Sequence, residues 1–309
     1  MRLFPLATAA VLSLVSSHLP AQPTAWQPRP VQGATEPAEV IATSTAEDWR
    51  AIDPENLLVM DLADGGRVII ELAPAFAPIH VDKVRRFARG GWWDNANVYR
   101  VQDNYVAQWG NNESEVPMPP GVTRQPPAEY ERPIEGLAIR PLAFPDSYAP
   151  MAGHADGWPI AYDPARGMAW LTHCYASVGV GRDLAPDTGS GGELYAVIGH
   201  APRHLDRNIA TIGRVIEGIA FLSARPRGTG TLGFYQADRG ETPIPIRRVR
   251  VAADMPAGEQ PRFEVMRSDR PAFTAFVTGR ANRGGTFFNV PAGGVDVCNV
   301  NVPVRRRAG

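Results

Sequence analysis

The chain has 309 residues, a net charge of -1, 44% hydrophobic and 20% charged residues. That is the composition of a soluble globular protein with one large domain or two small ones, and it lacks the basic surplus that binds nucleic acid or an anionic membrane. With 30 glycines and 30 prolines, short strands and turns are favoured over long helices.

Residues 1–21 read as a secretory signal peptide. Arg2 supplies the positive start and Leu3 to Val15 is a mostly apolar run. Ser16-Ser17-His18-Leu19-Pro20-Ala21 leads to a cleavage point after Ala21. The run is too short to span a bilayer. The mature chain is therefore expected to be exported, to the periplasm, with no membrane attachment. An oxidising compartment makes Cys174 and Cys298, the two cysteines of the sequence, candidates for a disulfide. Residues 22–52 carry Pro23, Pro28, Pro30 and Pro37 among small polar residues, and are expected to form a disordered linker.

The main domain is expected over residues 53–255. Leu57 to Leu62 and Arg67 to Leu72 flank Asp64-Gly65-Gly66, a hairpin signal. Pro78 suits a first helical turn. Residues 78–89 then place Val81, Val84 and Phe87 at spacing three, with Lys83, Arg85, Arg86 and Arg89 largely on other faces, before Gly90-Gly91 stops the helix. After a turn at Trp92-Trp93-Asp94-Asn95, Val98 to Val101 and Tyr105 to Trp109 read as two strands around Gln102-Asp103-Asn104. Side chains two apart share a strand face. Val98 and Arg100 are thus expected on one face, Tyr99 and Val101 on the other, with Gln108 beside Val106. If Arg100 and Gln108 converge, a guanidinium held by an amide sits against an apolar, aromatic wall. That equipment suits action on a neutral polar group in a hydrophobic pocket. The same residues also fit a solvated strand arginine.

Residues 112–166 hold eleven prolines from Pro117 to Pro164 and read as a long irregular insertion. Met168 to His173 reads as a strand, Tyr175 to Asp187 as a loop and Gly189 to Gly192 as a tight turn. Glu193 to Ile198, Ile209 to Val215 and Ile246 to Ala252 read as strands, and Gly218 to Leu222 as a helical turn. Many short strands with few helices point to a mainly β, closed antiparallel barrel. Residues 256–309 form a C-terminal α+β extension. Ala272 to Ala281 is its helix, and Phe287-Phe288 and Val295 to Val304 are its candidate strands.

In this order the pieces resemble the cyclophilin family of peptidyl-prolyl isomerases. The resemblance rests on Val68-Ile69-Ile70-Glu71-Leu72 with the helix from Pro78, on Tyr99-Arg100-Val101 with Gln108 and Gly110, and on Gly167 to His173. Glu193-Leu194-Tyr195, Leu205-Asp206 and Gly213 to Gly218 complete it. It implies an eight-stranded antiparallel barrel capped by two helices. It also implies an outer groove that binds proline-containing segments of client proteins and needs no cofactor. By the same resemblance Arg100 is the catalytic arginine and Gln108 positions it. Tyr105, Val106, Thr172, His173, Glu193, Tyr195, His204 and Leu205 line the substrate groove. Glu193, Tyr195 and His204 depart from the usual glutamine, phenylalanine and tryptophan, and Ile209 from a histidine. Retention of Arg100 with Gln108 favours an isomerase acting on exported proteins, while the changes at Glu193, His204 and Ile209 favour a second class of function, a non-catalytic binder or chaperone on the same fold.

Two other constellations are weaker. His200, His204 and Asp206 resemble metal-ligand spacing, but Pro202 lies between the histidines, and loop residues are the simpler reading. Ser190 sits in a Gly-rich turn, yet Thr188 occupies the place where a nucleophile elbow requires glycine.

Overall fold

The computed structural model describes residues 27–111, 116–284 and 287–307; the signal peptide expected over residues 1–21 lies outside them. In chain order, α1 (Pro37–Thr43) and β1 (Trp49–Ala51) precede β2 (Leu57–Leu62), β3 (Arg67–Leu72), α2 (Pro78–Arg89), β4 (Asn97–Val101) and β5 (Val106–Gly110). Next come β6 (Arg132–Pro133), β7 (Ile139–Pro141), β8 (Met151–Ala155), β9 (Trp158–Asp163) and β10 (Met168–Leu171). They are followed by β11 (Ser177–Val180), β12 (Leu194–Val197), β13 (Thr211–Glu217), α3 (Ala220–Ser223) and β14 (Ile244–Val251). The chain ends with β15 (Phe263–Met266), α4 (Pro271–Ala281) and β16 (Val304–Arg306).

Eight strands close a barrel in the order β11-β12-β5-β4-β14-β2-β3-β13, as the mainly β reading expects. The β2–β3 hairpin sets the pattern. Leu58 faces Ile70 and Met60 faces Val68 across the ladder, and these side chains fill the interior with Leu62 and Leu72. Val81, Val84 and Phe87 of α2 join the same core, so the spacing of three marks the buried face of the cap. The alternate residues Leu57, Val59 and Ile69 are buried too, against Phe263 and Val265 of β15. A strand buried on both faces reads as a continuous apolar run, which is what Leu57 to Leu62 shows.

That second layer corrects several expectations. Residues 37–51 are folded, not a disordered linker. β1 pairs with β15, Arg50 opposite Val265, and Val40 and Trp49 are buried among residues of α4. Residues 112–166 are not irregular throughout, because β6 to β9 join β10 in a five-stranded sheet ordered β6-β10-β9-β8-β7. Proline cannot donate to a ladder and collects at sheet edges. Pro133 and Pro141 lie in the two edge strands, β6 and β7. Met168 to Leu171 is a strand, but of this sheet and not of the barrel. The barrel strand in its place is β11, inside the stretch expected as a loop. In the extension the helix is present as α4, whereas Phe287-Phe288 is not a strand. Val295 to Val304 is a 3-10 turn at Val297–Asn299 with β16 starting at Val304. Asp296 caps that turn by accepting from the Cys298 backbone N–H at 2.8 Å, so local capping displaces the alternating pattern. Cys174 and Cys298 form a disulfide with a Cα separation of 5.0 Å, which fastens the extension to the chain between β10 and β11.

Candidate active site

Arg100 and Gln108 are cross-strand partners on β4 and β5, and the register slips by one residue between Val98 and Arg100. A bulge of this kind bends the strand and re-aims a side chain. It overturns the simple alternation expected for β4. Val98 and Val101 both point into the core, while Tyr99 and Arg100 both open on the outer groove.

The bonds made there form one network. Gln108 Oε1 accepts from Arg100 Nη1 at 2.8 Å. Gln108 Nε2 donates to the Tyr99 hydroxyl at 2.7 Å and to Glu193 Oε2 at 3.1 Å. The Tyr99 hydroxyl donates to that same carboxylate oxygen at 2.7 Å. With two acceptors fixing its amide nitrogen, Gln108 has to turn its oxygen to the guanidinium. Arg100 Nε donates to the Leu232 carbonyl at 2.7 Å, and Nη2 to Gln102. Each terminal nitrogen thus keeps a second N–H, since a guanidinium carries two on each. No carboxylate pairs with Arg100 among the described residues. Its guanidinium carbon lies 5.4 Å from the Phe234 ring centroid and 6.0 Å from that of Tyr105.

Burial lowers the pKa of Arg100, yet a guanidinium stays charged at any ordinary pH. Burial raises the phenols of Tyr99, Tyr105 and Tyr195, and the Glu193 carboxylate adds to the effect at Tyr99. The groove, about 1150 Å³ in volume, therefore sets the Arg100 cation among neutral phenols and aromatic faces, with Arg124 and Arg182 as further cations in its lining.

Beyond Arg100 the floor is apolar. Val106, Tyr195 and Val197 are buried together, with Tyr105, Leu205 and Ile209 packed on them. The Tyr105 hydroxyl bonds His204 Nε2 at 3.0 Å, and the two rings stack at 5.6 Å. Tyr105, Val106, Glu193, Tyr195, His204 and Leu205 all line the groove. Thr172 and His173 do not. They are 1% and 2% exposed and lie behind the floor, because β10 ends in the second sheet and not in the barrel.

Groove positions expected at Thr172 and His173 are filled instead by Gly181 and Arg182, just past β11. The alternation of Ser177-Val178-Gly179-Val180 was a legible sign of this strand. Other lining residues carried no local signal. Arg124 and Gln125 come from the insertion, and Leu232 and Phe234 from the segment after α3. Asp206 binds His173 and Arg203, so the H-x3-H-x-D spacing resolves into separate side-chain contacts.

A family model described as cyclophilin type peptidyl-prolyl cis-trans isomerase/CLD matches residues 57–251. The chain belongs to this family. Among curated relatives, a probable peptidyl-prolyl cis-trans isomerase of Brucella suis is 38% identical over 61 residues, 20% of this chain and 31% of the relative. One of Brucella abortus is 36% identical over the same shares. The chain thus spans about a third of the length of these relatives. The crystal structure of a cyclophilin from Hirschia baltica is similar at a TM-score of 0.66 and 25% identity, covering 87% of this chain and 96% of that one. That similarity takes in more than the barrel.

Proposed function

We propose that the chain is a peptidyl-prolyl cis-trans isomerase acting on Xaa-Pro bonds of exported proteins, with Arg100 donating to the prolyl nitrogen as the bond twists. The observation that carries this is the Arg100–Gln108 bond at 2.8 Å, set in an aromatic and apolar groove. Rotation about the prolyl bond faces a barrier of about 18–20 kcal/mol and takes roughly 10–100 s uncatalysed. A rate near 10³ s⁻¹ needs an acceleration of about 10⁵, or roughly 7 kcal/mol. No covalent bond breaks, so no nucleophile or proton donor is required.

Twisting localises a lone pair on the nitrogen. A guanidinium N–H that bonds this lone pair stabilises the twisted state and not the planar one. One charge-assisted hydrogen bond contributes about 1.5–3 kcal/mol. The remainder falls to desolvation of the carbonyl beside Val106 and Leu205 and to holding the peptide on both sides of the bond. Export, to the periplasm, rests on the signal-like residues 1–21 and is supported by the Cys174–Cys298 bridge, which an oxidising compartment sustains.

A protease-free isomerisation assay on a prolyl tetrapeptide series tests the proposal. Arg100→Ala should lower kcat/KM at least about tenfold, the scale of the lost charged bond, with an unchanged circular dichroism spectrum. Equal turnover by the variant would remove Arg100 from its role. Peptide binding without turnover by the parent chain would favour the non-catalytic binder.

A further inference from the structure

We propose that His173, braced by Asp206 and Arg203, is a positioning residue for the groove, holding Tyr195 in its floor and the turn with His204 and Leu205 in its wall. The proposal rests on the isomerase reading of the same groove.

Tyr195 on β12 stands opposite Gly179 on β11. A Cβ at position 179 would meet the phenol carbon and oxygen of Tyr195 at 2.3 Å, so the ring tip lies on bare backbone. A buried phenol needs a hydrogen-bond partner. It finds His173 Nε2 at 2.8 Å. Asp206 Oδ1 accepts from His173 Nδ1 at 3.0 Å and from the His173 backbone N–H at 2.8 Å. A carboxylate on Nδ1 keeps a proton there and leaves Nε2 to accept from Tyr195.

The chain of bonds continues inward. Arg203 Nε donates to Asp206 Oδ2 at 2.7 Å. Both terminal nitrogens of Arg203 donate to Asp146 at 2.9 Å. Asp146 lies in the insertion, ahead of β8. None of these four side chains is more than 5% exposed. Arg203 and Asp206 bracket His204 and Leu205 in sequence, so the same bonds that hold His173 also fix the turn facing Tyr105. In a buried, fully bonded network the loss of one member is felt by the rest. His173 does not itself line the groove, and acts on it through its bond to Tyr195.

The test is a double-mutant cycle in the full mature chain. The readouts are kcat and KM by protease-free isomerisation, and Kd for a prolyl tetrapeptide by NMR titration. His173→Leu and Tyr195→Phe should each raise KM and Kd about fivefold, the equivalent of one neutral hydrogen bond. The double variant should lose no more than either alone. His173→Gln, whose amide can accept from Tyr195 and donate to Asp206, should stay within about twofold of the parent. Losses that multiply in the double variant, or an unchanged Kd in Tyr195→Phe, overturn the proposal. If His173→Leu does not fold, the Kd of Tyr195→Phe decides alone. A parent chain that binds peptide without turning it over sinks the isomerase reading only, and the Kd series still decides this one. A parent that does not bind peptide overturns both.

Discussion

At the scale of single residues, burial and bonding determine what each side chain can do. Arg100 keeps N–H groups beyond those in its fixed bonds, which go to two amides and a carbonyl and not to a carboxylate. The choice of arginine, with Gln108 eight positions on, was visible in the sequence. The bulge that turns Tyr99 to the same side was not, since it depends on how β4 meets β5. His154 shows the opposite fate. Burial, with the Arg214 charge adding to it, lowers its pKa to about 3. Neither ring nitrogen has a protein partner among the described residues. The unfolded chain takes up this proton near pH 6.5 and the folded chain only near 3. Stability from this group is therefore complete above pH 6.5 and is lost as the pH falls below it, at up to about 1.4 kcal/mol per pH unit. His154→Leu should flatten the decline in urea midpoint between pH 6.5 and 4.5 relative to the parent. Parallel declines would show that His154 does not carry it.

Among elements, the decisive contact is the outer face of β3. Glu71 is 2% exposed there and accepts from Arg50 of β1 at 3.2 Å and from Arg214 of β13 at 3.0 and 2.8 Å. Arg214 also donates to the Gly157 carbonyl in the β8–β9 turn at 2.8 Å and lies over the Trp158 ring. One carboxylate thus joins the barrel to the N-terminal strand and to the insertion. Removing one partner of a buried ion pair leaves the other uncompensated, at a cost of about 3–5 kcal/mol. Glu71→Ala should lower the unfolding free energy by that order in urea titration, while Arg100 and its groove partners are untouched. A loss below about 1 kcal/mol, the value of an exposed pair, would show that the layers hold by apolar burial alone. The glutamate was legible as part of a strand. Its partners were not, because they come from elements distant in sequence.

In the whole molecule, the Cys174–Cys298 bridge spans 124 residues and closes the second layer on itself. Loop entropy at that length gives up to about 5 kcal/mol in the chain-entropy model. The oxidised protein should show no free thiol on titration after denaturation, and reduction should lower its urea midpoint. Two titratable thiols in the oxidised protein would contradict the bridge. By itself the sequence determined the barrel hairpin and the capping helix α2, since each is written in a local period or spacing, while the family and the pairing of Arg100 with Gln108 were legible as a resemblance carried by motifs in a fixed order. Tertiary structure alone decided that β11 and not β10 completes the barrel, and hence that Gly181 and Arg182 and not Thr172 and His173 face the groove. It alone made the proline-rich residues before β1 and after β5 into folded layers. The physical reason is the same in each case: a short strand is stabilised by its partner and by the face it covers. For β1 that partner is β15, at the other end of the chain.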